Sequence, residues 1–365
     1  MEKLNQFTKY LFLFIITIPI IDTFVKILPN NVNNEKRDLK TISRKKMNLG
    51  DIKDYFSNYD NNFNGRSMLV NLFINFKKII PYNSPLPQKV AIGKNGYYYL
   101  VDYNCMDDYR NVSRWKTNQL EGLVSKLSDN KKWLDSLNIP YIIVIVPEKQ
   151  KIYPEYLPAN ISKVTNETRL DQFENYISRN NYKLNIINLN QLLTQNKNKN
   201  IYFKKDSHWN YLGAFISYNE VMKYLDSMDI ISFNKRQYNS KLEDENDLDL
   251  AKIMGESFYS SEKTIKLFPV IKDTIMNFDP EFEVSDYIKR RKPNFVIGKV
   301  NSKGNKKLLM FRDSYTAVWS DYFTYDFYKS VFVWKYDFDK NMILKYKPDV
   351  VIHQVAERHL ELLSN

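Results

Sequence analysis

Glycine is scarce in this chain, with nine residues in 365. Neither G-x-G-x-x-G nor G-x-x-x-x-G-K-[ST] occurs, so the backbone cradles that hold dinucleotides and nucleoside triphosphates are excluded. Cysteine is scarcer still. The single Cys105 rules out an intramolecular disulfide and any cysteine-based zinc site. Histidine occurs three times, at 208, 353 and 359, without a ligand cluster. Nothing in that spacing calls for a metal, and no cofactor is expected. Internal repeats are absent as well.

What the chain has instead is apolar and aromatic bulk. Hydrophobic residues make up 43% and aromatics 15%, with 27 Tyr and 22 Phe, which is enough for a packed core and excludes global disorder. The length suits one large domain or two modest ones. The net charge of +12 fits an anionic polymer or a membrane surface as partner, or simply a solvated basic exterior. The basic residues are scattered and no nucleic-acid-binding module appears, so a nucleic-acid partner is not expected.

The run "YLFLFIITIPIIDTFVKIL" (10–28) is almost wholly apolar. About 20 such residues cross a bilayer, and no small-x-small cleavage site follows. The run therefore reads as an uncleaved signal anchor, preceded by a short tail (1–9); the alternative is a buried core helix. Lys36, Arg37, Lys40, Arg44, Lys45 and Lys46 follow the run, whereas only Lys3 and Lys9 precede it. The positive-inside rule alone would keep the large domain in the cytoplasm.

Residues 29–80 read as a juxtamembrane linker and a helix, and 81–365 as the main domain. "KVAIGKNGYYYLVD" (89–102) predicts a hairpin about Lys94-Asn95-Gly96. Helical spacing appears over 63–80, 114–137, 168–179 and 212–228. "YIIVIV" (141–146) has the continuous β-branched character of a strand buried on both faces. Further strands are predicted at 184–189, 306–315, 330–334 and 349–355. Helices alternating with such strands predict an α/β fold with a mostly parallel sheet flanked by helices. Residues 229–300 are less periodic and read as an insertion.

Ligands bind beyond the carboxyl ends of the strands of open parallel sheets. Ser314 follows the strand "KLLMF" in "FRDSY", and His208 sits in the polar turn "DSHW" ahead of a helix. A serine hydroxyl needs an imidazole to take its proton, and the imidazole needs an orienting carboxylate. Asp206, two residues from His208, supplies one. Ser314's own amide is a candidate oxyanion donor. Plainer readings exist for each residue. His208 or Ser314 would cap a helix, Asp206 would close an Asx-turn and Trp209 would pack in the core.

Several blocks in order resemble the SGNH-like acetyltransferases of bacterial exopolysaccharide modification, of the alginate O-acetylation and "DHHW" types. They are "IGKNGYYYL", "VIVPEKQKIYPEYLP", "FKKDSHWNYLGAF" and "LLMFRDSYTAVWSDYF", with "PDVVIHQVAERHLE" weaker. The resemblance spans roughly residues 60–365. It implies an SGNH-hydrolase-like fold with permuted motif order, Ser314 as nucleophile, His208 as general base and Asp206 as its orienting partner. Arg312, Trp209 and Tyr315, next to these residues, are candidate substrate contacts. Arg312 stands where many relatives have Gly, and Tyr315 where many have Phe.

The function this implies is acetyl transfer to hydroxyls of a cell-surface or exported polysaccharide. The acetyl group would come from a multi-spanning membrane acyltransferase partner, and the catalytic domain would lie outside the membrane. Two alternatives share the residues: a carbohydrate acetylesterase, and a membrane-anchored glycan-binding or assembly protein without catalysis.

Overall fold

The computed structural model describes residues 65–78, 84, 86–256, 260–284 and 295–364, together with seven positions among the first 18. Most of the apolar run 10–28, and residues 29–64 of the expected linker and helix 29–80, lie outside the described residues. Among the described residues, no helix is long and apolar enough to cross a membrane.

Eleven strands are described. They are β1 (Val90–Ile92), β2 (Tyr98–Leu100), β3 (Tyr141–Val146), β4 (Asn185–Asn188), β5 (Tyr238–Glu245), β6 (Glu262–Pro269), β7 (Ile275–Asn277), β8 (Val296–Asn301), β9 (Lys307–Phe311), β10 (Lys329–Val333) and β11 (Val350–Ala356). Seven form the central sheet, in the order β4-β3-β11-β9-β10-β8-β7. The first five run parallel, and β8 and β7 add antiparallel at one edge. The sheet is thus mixed. The stretch 229–300 contributes the separate β5–β6 hairpin and also two strands of this central sheet.

The buried strands show why continuous apolar runs were needed. Ile142, Val144, Val146, Leu308, Met310 and Ile352 face one core, shared with Val221 and Leu225 of the Tyr211–Ser227 helix. Their neighbours Ile143, Ile145, Leu309, Phe311, Val351 and Val355 face the other, against Leu123 and Leu127 of the Thr117–Asp135 helix and Phe173 of the Arg169–Arg179 helix. Period-two alternation sends successive side chains to opposite faces. A sheet covered by helices on both sides therefore needs apolar residues at every position.

Local signals set the boundaries. Asn95 and Gly96 both take positive φ in the β1–β2 connection, as an Asn-Gly hairpin turn requires. Thr168 and Asp171 form a reciprocal capping box at the Arg169–Arg179 helix. Asn210 caps the Tyr211–Ser227 helix by accepting from the amides of Leu212 and Gly213. His208 is therefore not that helix's cap.

Gly213 lets this helix lie close against the chain before it. A Cβ there would fall inside the contact shell of the Ile201 carbonyl oxygen and press on Trp209. Gly213→Ala, although favourable to an isolated helix, is expected to destabilise the protein by about 1–3 kcal/mol through overpacking. Thermal unfolding of the variant measures this, and an unchanged or raised Tm would refute the packing argument.

Candidate active site

The carboxyl ends of β3, β11 and β9 lie side by side, and the chain leaving each one carries polar residues. Past β9 comes the turn Arg312-Asp313-Ser314. Asp313 is fully buried and works as the hub of that turn. Its Oδ1 accepts from the Tyr315 amide at 2.9 Å and from Gln354 Nε2 at 2.9 Å, and its Oδ2 from the Ala356 amide at 2.6 Å. The Asp313 amide donates to Gln354 Oε1 at 3.1 Å. Asp313, not Ser314, caps the short helical turn Ser314–Ala317. This leaves the Ser314 side chain partly exposed at the sheet's end.

Residues 203–208 form the facing wall. An isolated bridge joins Tyr202 to Trp209, and within the loop it closes almost every backbone group has a named partner. Lys149, buried at the end of β3, donates from Nζ to the carbonyls of Phe203, Lys204 and Asp206 at 3.1, 2.9 and 2.6 Å. The Lys205 carbonyl accepts from the Ala251 amide at 2.9 Å. The amides of Lys204 and Lys205 donate to Glu262, and that of Ser207 to Asp249. Buried backbone groups must find such partners or lose stability. Burial pushes the Lys149 ammonium down to about 8, against the pull of Asp206 and Asp249.

The three residues singled out in the sequence meet here. Asp206 Oδ1 is 2.7 Å from His208 Nδ1, and His208 Nε2 is 2.8 Å from Ser314 Oγ. The same Oδ1 accepts the His208 amide at 2.8 Å, so Asp206 closes an Asx-turn and backs the ring at once. Asp206 Oδ2 accepts from the Asp249 amide at 2.6 Å. The His208 side chain keeps 17% of its surface and that of Asp206 9%. Such a line can carry a proton from the hydroxyl to the imidazole. The amides of Asp313 and Tyr315 are engaged, whereas that of Ser314 makes no hydrogen bond among the described residues and is free to donate to a developing oxyanion.

Arg312, Trp209 and Tyr315 do not line an open surface, and substrate contact by their side chains is corrected accordingly. Trp209 and Tyr315 are fully buried and Arg312 is 1% exposed. Trp209 Nε1 donates to the Tyr315 carbonyl at 3.0 Å, and Tyr315 packs edge-on against the His208 ring with centroids 4.9 Å apart. Arg312 stacks on Trp334 at 4.6 Å, and burial lowers its guanidinium to about 10. These residues support the imidazole and the serine turn from behind.

Beneath them runs a row of buried ion pairs. Arg358, just past β11, bonds Glu148 at 2.6 Å, each side chain 5% exposed. Glu357 pairs with Lys151, and Arg169 with Asp108 at 2.6 Å. Removing one partner of such a pair strands a buried charge, at about 3–5 kcal/mol. Glu148, Lys149, Glu357 and Arg358 all lie in stretches noted in the sequence, yet only the neighbouring strand ends show what they hold. Asp249 had no sequence signal at all.

Asp206, His208 and Asp249 each bring a ligand atom within 4.8 Å of the others. Those atoms are spent on the imidazole and on Ser207, so the group reads as a hydrogen-bonded charge set, not a metal centre.

Residues 90–262 match the family profile described as "SGNH hydrolase-like domain, acetyltransferase AlgX". The matched stretch, a little under half of the chain, is similar to the SGNH hydrolase-like acetyltransferase domain of that profile. Solved structures agree on the fold. Bacillus cereus PatB1 with a sulfonyl adduct superposes with a TM-score of 0.54 at 16% identity, over 73% of this chain and 93% of that one. A DHHW family protein from Eubacterium siraeum gives 0.51 at 16% identity, over 75% and 95%. Among curated proteins no relative matches.

The three histidines differ sharply in basicity. Burial drives His353, bonded to Tyr141 at 3.0 Å, down to about 3. Burial and the nearby Arg358 bring His359 down to about 4. Burial also works against a charged His208, but the Asp206 carboxylate and its hydrogen bond, with Asp249, outweigh it and leave the ring above its ordinary value. Nitrogen-15 NMR over pH is expected to show one imidazole titrating above about 6.5 and two that stay neutral well below it. A titration of His208 below that ordinary value would contradict the electrostatic account.

Proposed function

We propose that this protein is an O-acetyltransferase that acetylates hydroxyls of a cell-surface or exported polysaccharide, with Ser314 as nucleophile, His208 as general base and Asp206 holding the imidazole. The observation that carries this reading is the hydrogen-bonded line from Asp206 through His208 to Ser314, at 2.7 and 2.8 Å. Ser314 Oγ attacks the acetyl carbonyl carbon while His208 Nε2 takes its proton. The donor's leaving group departs with that proton, and the acetyl group stays as an ester on Ser314. A sugar hydroxyl then attacks the ester and gives its proton to Nε2. Ser314 Oγ leaves and recovers the proton as the acetylated sugar forms. In both tetrahedral intermediates the Ser314 amide donates to the oxyanion.

The family profile of an acetyltransferase supports transfer over hydrolysis as the reaction. The +12 net charge suits an acidic glycan. A multi-spanning membrane acyltransferase is the proposed acetyl donor, and the apolar run 10–28 the anchor that holds the domain beside it on the outer side of the membrane.

With 4-nitrophenyl acetate as donor and an acidic oligosaccharide as acceptor, Ser314→Ala is expected to lose at least about a thousandfold in acetyl transfer. The rate for the unaltered protein should fall as pH drops through the raised His208 pKa, because a protonated ring cannot accept the serine proton. Acetate release without acetylated sugar would instead identify an esterase. Unchanged glycan acetylation in cells carrying Ser314→Ala would leave a binding role. The proposed orientation predicts that protease added to intact spheroplasts digests the domain; full protection would place it in the cytoplasm and overturn an exported substrate.

A further inference from the structure

A second carboxylate stands beside Asp206 behind the His208 ring. Asp249 opens the Asp249–Ile253 helix, 43 residues beyond Asp206 in the chain. Its Oδ1 accepts the Ser207 amide and its Oδ2 the Ser207 hydroxyl, both at 2.7 Å. Oδ2 lies 3.8 Å from His208 Nδ1. The Asp249 amide donates in turn to Asp206 Oδ2. Each aspartate therefore binds the backbone of the other's segment, and the two segments are locked in register around the imidazole.

Two carboxylates this close repel unless donors or cations stand among them. Here the amides of Ser207, His208 and Asp249, the Ser207 hydroxyl and the imidazole fill that place. The Lys149 ammonium approaches from the β3 side through the Asp206 carbonyl. Arg358 is the cation that opposes charge on the ring, and the edge of Tyr315 covers its remaining flank. An imidazolium formed at His208 would face two anions within 4 Å. That arrangement is set before any proton moves, which is the condition for electrostatic stabilisation without reorganisation.

We propose that Asp249 is a second acidic positioning residue of the acyl-transfer site, holding the Ser207–His208 turn against Ser314 and stabilising the imidazolium formed when Ser314 gives up its proton. The assignment rests on the reading of Ser314 and His208 given above. A purely scaffolding role needs only the acceptor for the Ser207 amide, which asparagine also supplies. The proposed role needs the charge.

The test compares Asp249→Asn, Asp249→Glu and Ser207→Ala with the unaltered full chain, by pH-dependent kinetics on 4-nitrophenyl acetate and by NMR titration of the His208 ring. Asp249→Asn is expected to lose between about tenfold and a hundredfold in kcat/KM through misplacement of the base. Its acidic limb and the His208 midpoint should both move to lower pH. Asp249→Glu, which keeps the charge, should keep the midpoint near that of the unaltered chain. Ser207→Ala should lose less activity than Asp249→Asn without moving the midpoint down. An unmoved His208 midpoint in Asp249→Asn overturns the proposal, as does a Ser207→Ala variant that reproduces the whole shift. Full activity in Ser314→Ala would instead defeat the reading of Ser314, while the NMR midpoint would still decide whether Asp249 acts on the imidazole.

Discussion

One buried ammonium organises this site. Lys149 leaves the end of β3 and donates to three carbonyls of the loop that presents Asp206 and His208. Removing a lysine charge from water costs several kcal/mol. That cost is met because the ammonium satisfies carbonyls that would otherwise be orphaned in a dry environment, and because Asp206 lies close by. The loop has no regular secondary structure of its own and could not hold its shape alone. With Lys149 on one side and Asp249, Ala251 and Glu262 on the other, its backbone is almost fully paired and its side chains are fixed.

The serine turn is held by the same logic from the opposite side. Asp313 accepts three hydrogen bonds, from its own turn and from the end of β11. Gln354 Oε1 accepts from the Asp313 amide and from the Thr316 hydroxyl. The two halves of the site therefore hang from the ends of β3 and β9, the strands on either side of β11, and His208 meets Ser314 at 2.8 Å between them. The Glu148–Arg358 pair ties the ends of β3 and β11 beneath that contact. Arg358 also weighs against a charged His208, so the ring's basicity is a balance of burial and one guanidinium against two carboxylates. Proton transfer between the hydroxyl and the ring then needs little rearrangement of the protein.

Much of the frame was legible in the chain. The unbroken β-branched run 141–146 could only be a strand covered on both faces, and it is. The spacing of apolar residues over 114–137, 168–179 and 212–228 located helices to within a few residues of those observed. The stretch 229–300 was misread in part, because its apolar residues lack a clear period. Nearly half of it forms a hairpin apart from the sheet, and β7 and β8 within it are short strands that pair with each other and join the sheet only through β10. Trp209, Tyr315 and Arg312 had the chemistry of substrate contacts but serve as buried supports. Residue type says what a side chain can bind, whereas only packing says whether it reaches solvent.

The sequence by itself determined the local terms: which segments are strands and helices, where caps and tight turns fall, and that a carboxylate and an imidazole share one short turn. These depend on neighbours a few residues apart. Tertiary structure alone decided that His208 meets a serine 106 residues later, that Lys149 is buried under the intervening loop, and that Asp249 stands behind the ring. Those pairings join groups with no common period: the parallel sheet brings the ends of β3 and β9 together, and hydrogen bonds hold the 203–208 loop and the Asp249 helix against them.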